Sequence, residues 1–474
     1  MAGRTIDISA LIDARRLGAF NYKLIVLSWL ITVFDGFDMM MVGFTAPYMR
    51  DQLQLDQIML GHMFSAGLAG MLLGGFFFSW LGDRIGRRPT ILLTAFLFGV
   101  LTIMTGFAAS YEGLLTLRFL DGLAIGGMLP LAWALNIEFV PRRMRSTVVT
   151  VIMIGYSLGT SLAGPMTVLL APRFGWQAVY FAGGAGSLVA AALLCAGLPE
   201  SVRFLVSRAH TPARIVAVLR RAIPGLLVSD DDHFVLSNEP VTRQPFRPQQ
   251  LFEGRLLWVT PLLWVGYIAS SLAVYFVANW GPIVLEQMSF SRNTADYAGS
   301  IGSAAGAALG LLLMRFTDGK GPGAVAFYPL LAIPVLLVVG LASVSPAPLL
   351  LSLTILGGAL VAGGHFGILS IASVFYPTAI RASGGGWATS VAKLGAVAGP
   401  TIGGMLLAAG VPAVRTYALL AICPAVLLLC ALGIARVIRR STVPSASSAS
   451  IVLDSPGATG AAGPASAAGA AGAS

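Results

Sequence analysis

Two carboxylates in the first apolar run of the chain, WLITVFDGFDMMMVGFTAP, are candidates for proton chemistry. Asp35 and Asp38 are three residues apart, so a helix places both on one face. A charge at the centre of a bilayer costs about 2.5–3.5 kcal/mol even on a lenient insertion scale, so two such charges need a reason. Two close carboxylates in a poorly hydrated cavity repel each other, which favours a proton on one of them. The alternative is permanent ion pairing with Arg118 and Lys393, which would only hold helices together.

Later apolar runs carry polar residues that could bind an organic anion. Arg118 and Asp121 are again three residues apart, in LRFLDGLAIGGMLPLAWALNIEF. The forked donors of Arg118 suit a carboxylate, although Asp121 could equally neutralise them. Lys393, in WATSVAKLGAVAGP, is a second cation that could face the anion, and His365 lies in VAGGHFGILS. The histidine suits a proton relay, a hydrogen bond to a substrate or ordinary packing.

Tyrosines in the apolar run that starts at residue 256 complete the candidate site. Tyr267 and Tyr275 lie deep enough in this run to stack on an aromatic ring, whereas aromatic residues nearer its ends suit the membrane interface. The predicted substrate-binding residues are Arg118, Asp121, Tyr267, Tyr275, His365 and Lys393.

Apolar helices of membrane-spanning length must position these residues. Of the 474 residues, 56% are hydrophobic and only 11% are charged, whereas soluble domains have about 25% charged residues. This composition excludes a soluble enzyme, a nucleic-acid-binding protein and a secreted disulfide-rich protein. The sequence therefore predicts an all-α polytopic membrane protein with twelve spans, at 24–47, 58–81, 90–110, 113–140, 146–171, 175–198, 256–285, 294–316, 323–343, 347–375, 384–408 and 412–435.

The basic residues of the loops predict the orientation of the chain. With the N terminus inside, 24 of the 30 lysines and arginines fall in segments on that side, and four fall outside. This asymmetry places both termini and the long linker in the cytoplasm. It also explains the net charge of +10 without a nucleic-acid partner.

Landmarks that recur at one offset indicate two homologous halves. Asp83 in GDRIGRR and Asp318 in TDGKG are 235 residues apart, and the same offset separates Pro47 from Pro282. Transporters built from such repeats bind their substrate near the bilayer midplane, between the halves. The predicted organisation is a cytoplasmic N terminus (1–23), a six-helix half (24–198), a cytoplasmic linker (199–255), a second six-helix half (256–435) and a disordered cytoplasmic tail (436–474).

Charged residues of the cytoplasmic loops are candidates for a gate. GDRIGRRP places an acid beside three arginines in the turn between the second and third spans, and PRRMRS, preceded by Glu138, supplies possible partners. Such charges can cap a helix end and pair with a neighbouring helix, which would hold the inner side closed in one conformation. Alternatively, they only fix the topology. The predicted gating residues are Asp83, Arg84, Arg87, Arg88, Glu138, Arg145, Asp318 and Arg381.

These motifs resemble those of the major facilitator superfamily. GDRIGRRP is similar to its cytoplasmic loop signature, although Ser79 stands where that signature usually has Gly, and LPESVRFL is similar to its PES-x-R element. DGFD, RFLDGLAIGG and YPTAIRASGGGW followed by KLGAVAGP resemble the aromatic acid:proton symporter family within it. The resemblance extends to about residue 435 and implies the major facilitator fold, with two pseudo-symmetric halves.

The resemblance also implies roles for individual residues. The two carboxylates of DGFD would serve proton coupling, Arg118, Arg381 and Lys393 would be the important basic residues, and His365 would be a further polar site. Lys393 departs from the family, which commonly has Arg there, and Asp121 adds an acid where a neutral residue is expected. We therefore expect a secondary active transporter that imports an aromatic carboxylic acid, such as a hydroxybenzoate or protocatechuate, in symport with protons by alternating access.

Other functions stay open at this level. The same fold could export a drug or metabolite by proton antiport, carry another organic anion, carry a sugar, or serve as a sensor that does not transport. The sequence has no catalytic motif, phosphate loop or metal-ligand cluster, so we expect no enzyme activity, cofactor or metal. The expected partners are a small aromatic carboxylate, protons and the lipid bilayer, without nucleic acid. We expect a monomer in a bacterial inner membrane.

Overall fold

The chain forms a bundle of long helices, which we describe from a computed structural model. The structure describes residues 4–208, 210–236, 247–320, 322–341, 346–376 and 380–442, without the side chains of 314–320, 322–323, 370–375, 381–383 and 438–442. Helices dominate because an apolar segment of spanning length satisfies its own backbone hydrogen bonds in this conformation.

The N-terminal half contains six long helices connected by short turns. Polar caps mark where some of them begin: Asp56 accepts from the Met59 amide at 2.7 Å and Ser110 from the Gly113 amide at 3.1 Å. The elements are β1 (Thr5–Asp7), α1 (Ile8–Asp13), α2 (Ala19–Leu53), α3 (Gln57–Ile85), α4 (Arg87–Gly106), α5 (Tyr111–Glu138), α6 (Arg145–Phe174) and α7 (Gln177–Gly197), of which α2 to α7 are the long helices.

The linker and the C-terminal half follow. The linker holds α8 (Val202–Ser207), α9 (Pro212–Ala222), β2 (His233–Val235) and a 3-10 turn (Pro248–Phe252). The C-terminal half comprises α10 (Leu256–Gln287), α11 (Arg292–Lys320), a 3-10 turn (Pro322–Ala326), α12 (Phe327–Leu341), α13 (Ala347–Phe375), α14 (Arg381–Ala408), α15 (Ala413–Leu420) and α16 (Ile422–Thr442).

The prediction of twelve spans is confirmed, because each predicted run falls on a helix of the structure. The ninth run starts as a 3-10 turn before α12, and the last run is divided into α15 and α16 at Ala421. In the described part of the chain, eleven helical segments are long and apolar enough to cross a membrane. The twelfth is α11, whose charged and small residues, RNTADYAGSIGSAAGAALG, give it a lower mean hydropathy.

The N terminus and the linker pack together, which the sequence did not predict. β1 and β2 pair in parallel, with Thr5 opposite His233. Arg4 extends this contact, since its guanidinium donates to the Leu227 carbonyl at 2.8 Å. Apolar side chains of α1 and α9, including Ile8, join the same core as the helices of the N-terminal half. The first part of the linker is therefore a folded attachment to that half.

Helix contacts between the two halves are formed chiefly by α3 with α14 and by α6 with α11. Glycines permit the close approach. A Cβ atom added at Gly61 would lie 3.0 Å from the Pro400 carbonyl, and one at Gly164 would overlap the backbone of Asp296. Ser65 of α3 also donates to the Val397 carbonyl of α14 at 2.7 Å.

Ion pairs close one end of the interface between the halves. We name the end that bears Arg4 and the described residues of the linker 199–255 the linker end, and the opposite end the far end. At the far end, Arg50 of α2 pairs with Glu286 of α10 at 3.2 Å, and Arg292 of α11 pairs with Asp51 of α2. Arg292 also contacts Glu286 at 2.9 Å. This cluster joins the two halves, so the structure is closed at the far end.

Candidate functional site

A buried ion cluster lies inside the N-terminal half, where α2 packs on α5. The terminal nitrogens of Arg118 donate to both oxygens of Asp38, at 3.1 and 3.0 Å, and to Asp121 at 2.8 Å. Thr102 donates to the other oxygen of Asp121 at 3.2 Å. Arg118 is 4% exposed, and the two carboxylates are 1% and 0% exposed. Arg118 is therefore committed to two carboxylates of its own half.

Asp35 has a different environment from Asp38, although both lie on α2. It is fully buried, and neither of its oxygens has a hydrogen-bond partner among the residues that the structure describes. The nearby charges are those of Asp38 and Lys393. Burying a carboxylate without a partner is costly, so this environment favours the neutral acid. Asp35 is the carboxylate of the cluster best suited to bind a proton.

Lys393 reaches across the interface from α14. Its ammonium donates to the Met71 carbonyl of α3 at 3.2 Å. The neighbouring Gly75 leaves room for it, because a Cβ atom at that position would lie 3.2 Å from the Lys393 nitrogen. The Lys393 side chain thus connects the two halves at the level of the buried carboxylates.

A cavity of about 270 Å³ lies between the halves. Its walls are mostly apolar and come from α2, α3, α5 and α6 on one side and from α10, α11, α13 and α15 on the other. Tyr156 of α6, Tyr275 of α10 and His365 of α13 add polar groups to this lining. A mainly apolar cavity with a few polar groups is typical of a small-molecule site.

His365 is oriented by a neighbour on α10. Its Nδ1 lies 3.0 Å from the Ser270 hydroxyl. Because this contact occupies one ring nitrogen, Nε2 remains the nitrogen available to a molecule in the cavity.

The structure separates the six predicted substrate-binding residues. Tyr275 and His365 line the cavity, whereas Tyr267 is fully buried and donates to the Leu369 carbonyl at 3.0 Å. Arg118, Asp121 and Lys393 do not line it. Met39 and Met71 line both the cavity and a small void beside Arg118, so these methionines lie between the ion cluster and the cavity.

The predicted gating residues at the linker end form a network within the N-terminal half. Arg87 pairs with Asp83 at 3.6 Å and with Glu138 at 3.4 Å. Glu200, which sequence reasoning did not include, accepts from the backbone amides of Arg87 and Arg88 at 2.9 and 3.2 Å. The signal for Glu200 was its place in the PES-x-R element.

The other predicted gating residues have separate surroundings. The Arg84 guanidinium stacks on the Trp80 ring at 4.3 Å, and Arg145 donates to the Val140 carbonyl at 3.3 Å. The side chains of Asp318 and Arg381 lie outside the described residues.

Two cavity or interface residues were missed by the sequence analysis. Tyr156 lines the cavity, but nothing in its sequence context separates it from a packing tyrosine. Asp296 of α11 is 1% exposed and lies at the contact with α6. Its signal was an acid inside a predicted span, the same signal that identified Asp35.

Comparisons with known proteins identify relatives over most of the chain. The sequence profile described as Major Facilitator Superfamily matches residues 28–347. The chain is 33% identical over 410 residues to the 4-hydroxybenzoate transporter PcaK of Pseudomonas aeruginosa, covering 85% of this chain and 90% of that protein. It is 31% identical over 409 residues to a gallate transporter of Pseudomonas putida, with coverage of 85% and 90%.

Solved structures show the same fold. A bacterial homologue of the human lysosomal transporter Spinster, in an inward-facing and occupied conformation, matches with a TM-score of 0.68 at 16% identity, covering 90% of this chain and 98% of that one. The xylose transporter XylE from E. coli, in a partially occluded inward open conformation, matches with a TM-score of 0.69 at 16% identity, covering 91% and 99%. These matches confirm the predicted twelve-helix fold.

Proposed function

Because the chain belongs to the major facilitator superfamily, and within it to the family of the 4-hydroxybenzoate and gallate transporters, we propose that it imports an aromatic carboxylic acid together with protons. Membership makes it a multi-pass membrane transporter rather than an enzyme. The substrate class, the coupling to protons and the location in a bacterial inner membrane are parts of the proposal.

The charge balance of the buried cluster is the observation that carries the proton coupling. Within the described part of the interior, Asp35, Asp38 and Asp121 face two cations, Arg118 and Lys393. One carboxylate therefore exceeds the available positive charge. Asp35 is the one without hydrogen-bond partners, so a proton bound there neutralises the cluster. Arg118 holds Asp38 and Asp121 in place. The negative charge of Asp38 repels an ionised Asp35 and so favours the binding of that proton.

The cavity between the halves is the proposed substrate site. Its methionine and aromatic walls suit a benzene ring, and Tyr156, Tyr275 and His365 can hydrogen-bond to ring hydroxyls or to the carboxylate. Lys393 is the cation that can turn to the substrate carboxylate, because its present partner is only a neutral carbonyl. The names of the relatives support an aromatic acid as the substrate.

The charged residues at the two ends of the interface are the gates of the proposed alternating-access cycle. We place the linker end in the cytoplasm, with both termini and residues 199–255, because the basic residues concentrate there. Opening to the outside then requires the far-end ion pairs to separate. The linker-end residues Asp83, Arg87 and Glu138 would stabilise the opposite closure, together with Arg84, Arg88, Arg145, Asp318 and Arg381.

Uptake of radiolabelled 4-hydroxybenzoate and protocatechuate into cells, with and without a protonophore, tests this function. We expect accumulation that the protonophore abolishes and that Asp35→Asn removes, since Asn cannot exchange a proton. Exposed Asp56→Asn is the matched control, because Asn caps a helix as well as Asp does. Uphill uptake by the Asp35→Asn protein would disprove the coupling role of this residue.

The direction of proton movement distinguishes import from export. Adding substrate to de-energised cells should make the medium more alkaline if substrate and proton enter together. Acidification would instead indicate antiport and favour the exporter. Binding of a substrate to the purified protein without any flux in membrane vesicles would favour the sensor.

A further inference from the structure

We propose that Asp296 is a second proton-binding residue and that its neutral form is the one compatible with closure of the far end. This inference rests on the proposed coupling to protons, but it concerns a different carboxyl group in the other half of the protein. Proton binding would then accompany closure of the far end, in addition to proton binding at the buried cluster.

Asp296 is enclosed at a contact between the halves. It is 1% exposed, and its Oδ2 has no hydrogen-bond partner among the described residues. The Ser300 hydroxyl, one helical turn later, is 5% exposed and likewise lacks a partner in the described part of the structure. Gly164 of α6 packs directly against the backbone of Asp296 and the side chain of Ser300. Without a side chain at Gly164, the two helices exclude water from this carboxyl group.

The charges around Asp296 do not compensate a carboxylate there. Arg292 lies one turn earlier on the same helix, but its guanidinium contacts Asp51 and Glu286. With Arg50, these residues form a cluster of two cations and two anions, which is already neutral. An ionised Asp296 would add an uncompensated negative charge beside this cluster.

The cation that acts on Asp296 is Arg292 of its own helix, whose attraction opposes the effect of burial, and the contacts from α10, α2 and α6 add no further cation. From α10, the acting charge is that of Glu286, which repels a carboxylate. From α2, Tyr48 is the titratable group that interacts with Asp296, and its ring lies 5.0 Å from the Arg292 guanidinium. From α6, the contact is made by Gly164, which carries no charge. Burial without a compensating partner favours the neutral acid.

Opening of the far end would change this environment. Separation of α6 from α11 admits water to Asp296, and water stabilises the carboxylate. Closure requires the proton to return, because the closed interface has no place for the charge. A low pH on the far side therefore favours closure, and a high pH favours opening.

Distance measurements between spin labels at the far end test this inference. Exposed Arg173, at the end of α6, and exposed Gln287, at the end of α10, are replaced by cysteine for labelling. The native Cys195, Cys423 and Cys430 are first replaced by alanine, and the background is checked for uptake. Distances are measured on the purified full-length protein at acidic and alkaline pH.

We expect the distance between the two labels to increase with pH in the labelled parent, which retains Asp296. Asp296→Asn, which resembles the neutral acid, should lose this shift and keep the short distance at both pH values. Asp296→Glu keeps a titratable acid and should retain a pH-dependent shift, while Asp56→Asn should behave like the parent. A parent without any shift, or an Asp296→Asn protein that responds like its parent, would overturn the inference.

The same labelled protein separates this inference from the proposed function. Asp35→Asn should remove proton-driven accumulation and leave the pH-dependent distance shift intact. If Asp35→Asn still accumulates substrate while Asp296→Asn loses the shift, the coupling role of Asp35 fails and the role of Asp296 stands. If Asp35→Asn stops accumulation and Asp296→Asn keeps the distance shift, the coupling role of Asp35 stands and the role of Asp296 fails.

Discussion

Lys393 and Met71 belong to different halves of the protein, and the ammonium of Lys393 donates to the backbone carbonyl of Met71 at 3.2 Å. A carbonyl is a weak partner for a half-buried cation, because it brings no negative charge. When Asp35 is ionised, its charge attracts the Lys393 ammonium, although Asp35 has no hydrogen-bond partner among the described residues. The proposed proton site and the cation proposed to bind substrate are thus electrostatically linked across the interface.

Replacing Lys393 by Met tests this link. Lys393→Met leaves three buried carboxylates facing Arg118 alone, so we expect lower thermal stability and no uptake. Breaking a fully buried ion pair costs about 3–5 kcal/mol, and the loss of Lys393 should cost less because this half-buried side chain makes no hydrogen bond to Asp35. Adding Asp35→Asn restores the parental excess of one carboxylate over the cations and should recover much of the stability without recovering transport. Thermal unfolding in detergent measures the stability of the single and the double variant. An equal loss of stability in the two would contradict the electrostatic link between Lys393 and Asp35.

Removing a cavity hydroxyl should change substrate preference. Tyr275→Phe deletes a polar group that lines the cavity, so we expect weaker uptake of hydroxylated benzoates than of benzoate. A hydrogen bond worth about 1.4 kcal/mol corresponds to a tenfold change in affinity. Competition of labelled substrate by unlabelled benzoate and 4-hydroxybenzoate measures the preference.

Tyr267→Phe is the matched control for that experiment. Tyr267 does not line the cavity and its hydroxyl donates to the Leu369 carbonyl, so the variant should lose about 1 kcal/mol of stability and keep the substrate preference of the parent. Equal changes of preference in the two variants would disprove the assignment of Tyr275 to the site.

Arg118 should be intolerant of a change in shape as well as of a loss of charge. Arg118→Lys keeps the charge but removes the planar fork that contacts both oxygens of Asp38. Each hydrogen bond between charged groups contributes about 1.5–3 kcal/mol, so uptake and thermal stability should both fall. Arg173→Lys, at an exposed position, is the control. Parental uptake in Arg118→Lys would show that the fork is dispensable.

The attachment of the N terminus to the linker should depend on pH. Hydrogen bonds from the backbone amides of Ser229 and Arg4, together with the Arg4 charge, lower the pKa of Asp232. The unfolded value is about 3.9, so the stabilisation is fully present above that pH and disappears as the pH falls through the lowered folded value. The Asp232→Asn protein should lack this stabilisation at every pH.

Amide hydrogen exchange of Thr5–Asp7 checks this expectation. Protection of β1 should be high at neutral pH in the parent and in exposed Asp230→Asn, and it should be low in Asp232→Asn. Undiminished protection in Asp232→Asn would show that the strand pair holds without this carboxylate.

Local sequence patterns predicted the membrane spans, but they did not predict all residues of the candidate site. The i,i+3 spacing of Arg118 and Asp121 predicts their contact, which the structure shows at 2.8 Å. Tyr267 and Tyr275 illustrate the limit. Eight residues on a helix correspond to a rotation of about 80°, so the two rings point in different directions and only the packing of α10 decides which one meets the cavity.

Contacts between distant segments are poorly specified by local patterns, which left the pairing of Asp35 and Asp38 with Arg118 and Lys393 only as an alternative. The bidentate contact of Arg118 with Asp38 depends on how α2 packs on α5, and the pairing of β1 with β2 joins segments 228 residues apart, as Thr5 and His233 show. Asp296 stands near the start of a predicted span, where an acid is compatible with the surface as well as with the interior. Its significance comes from the neutral cluster beside it, which forms only when the halves meet.

That cluster also gives the closed state a sensitivity to salt. Arg50, Asp51, Glu286 and Arg292 retain between 21% and 49% exposure of their side chains, so dissolved ions reach them. The Debye length shrinks from about 10 Å at 0.1 M to about 3 Å at 1 M ionic strength, which weakens attraction between such charges. If the far end faces outward, as proposed, a cell in brackish water would hold more of its transporters open to the outside than the same cell in fresh water.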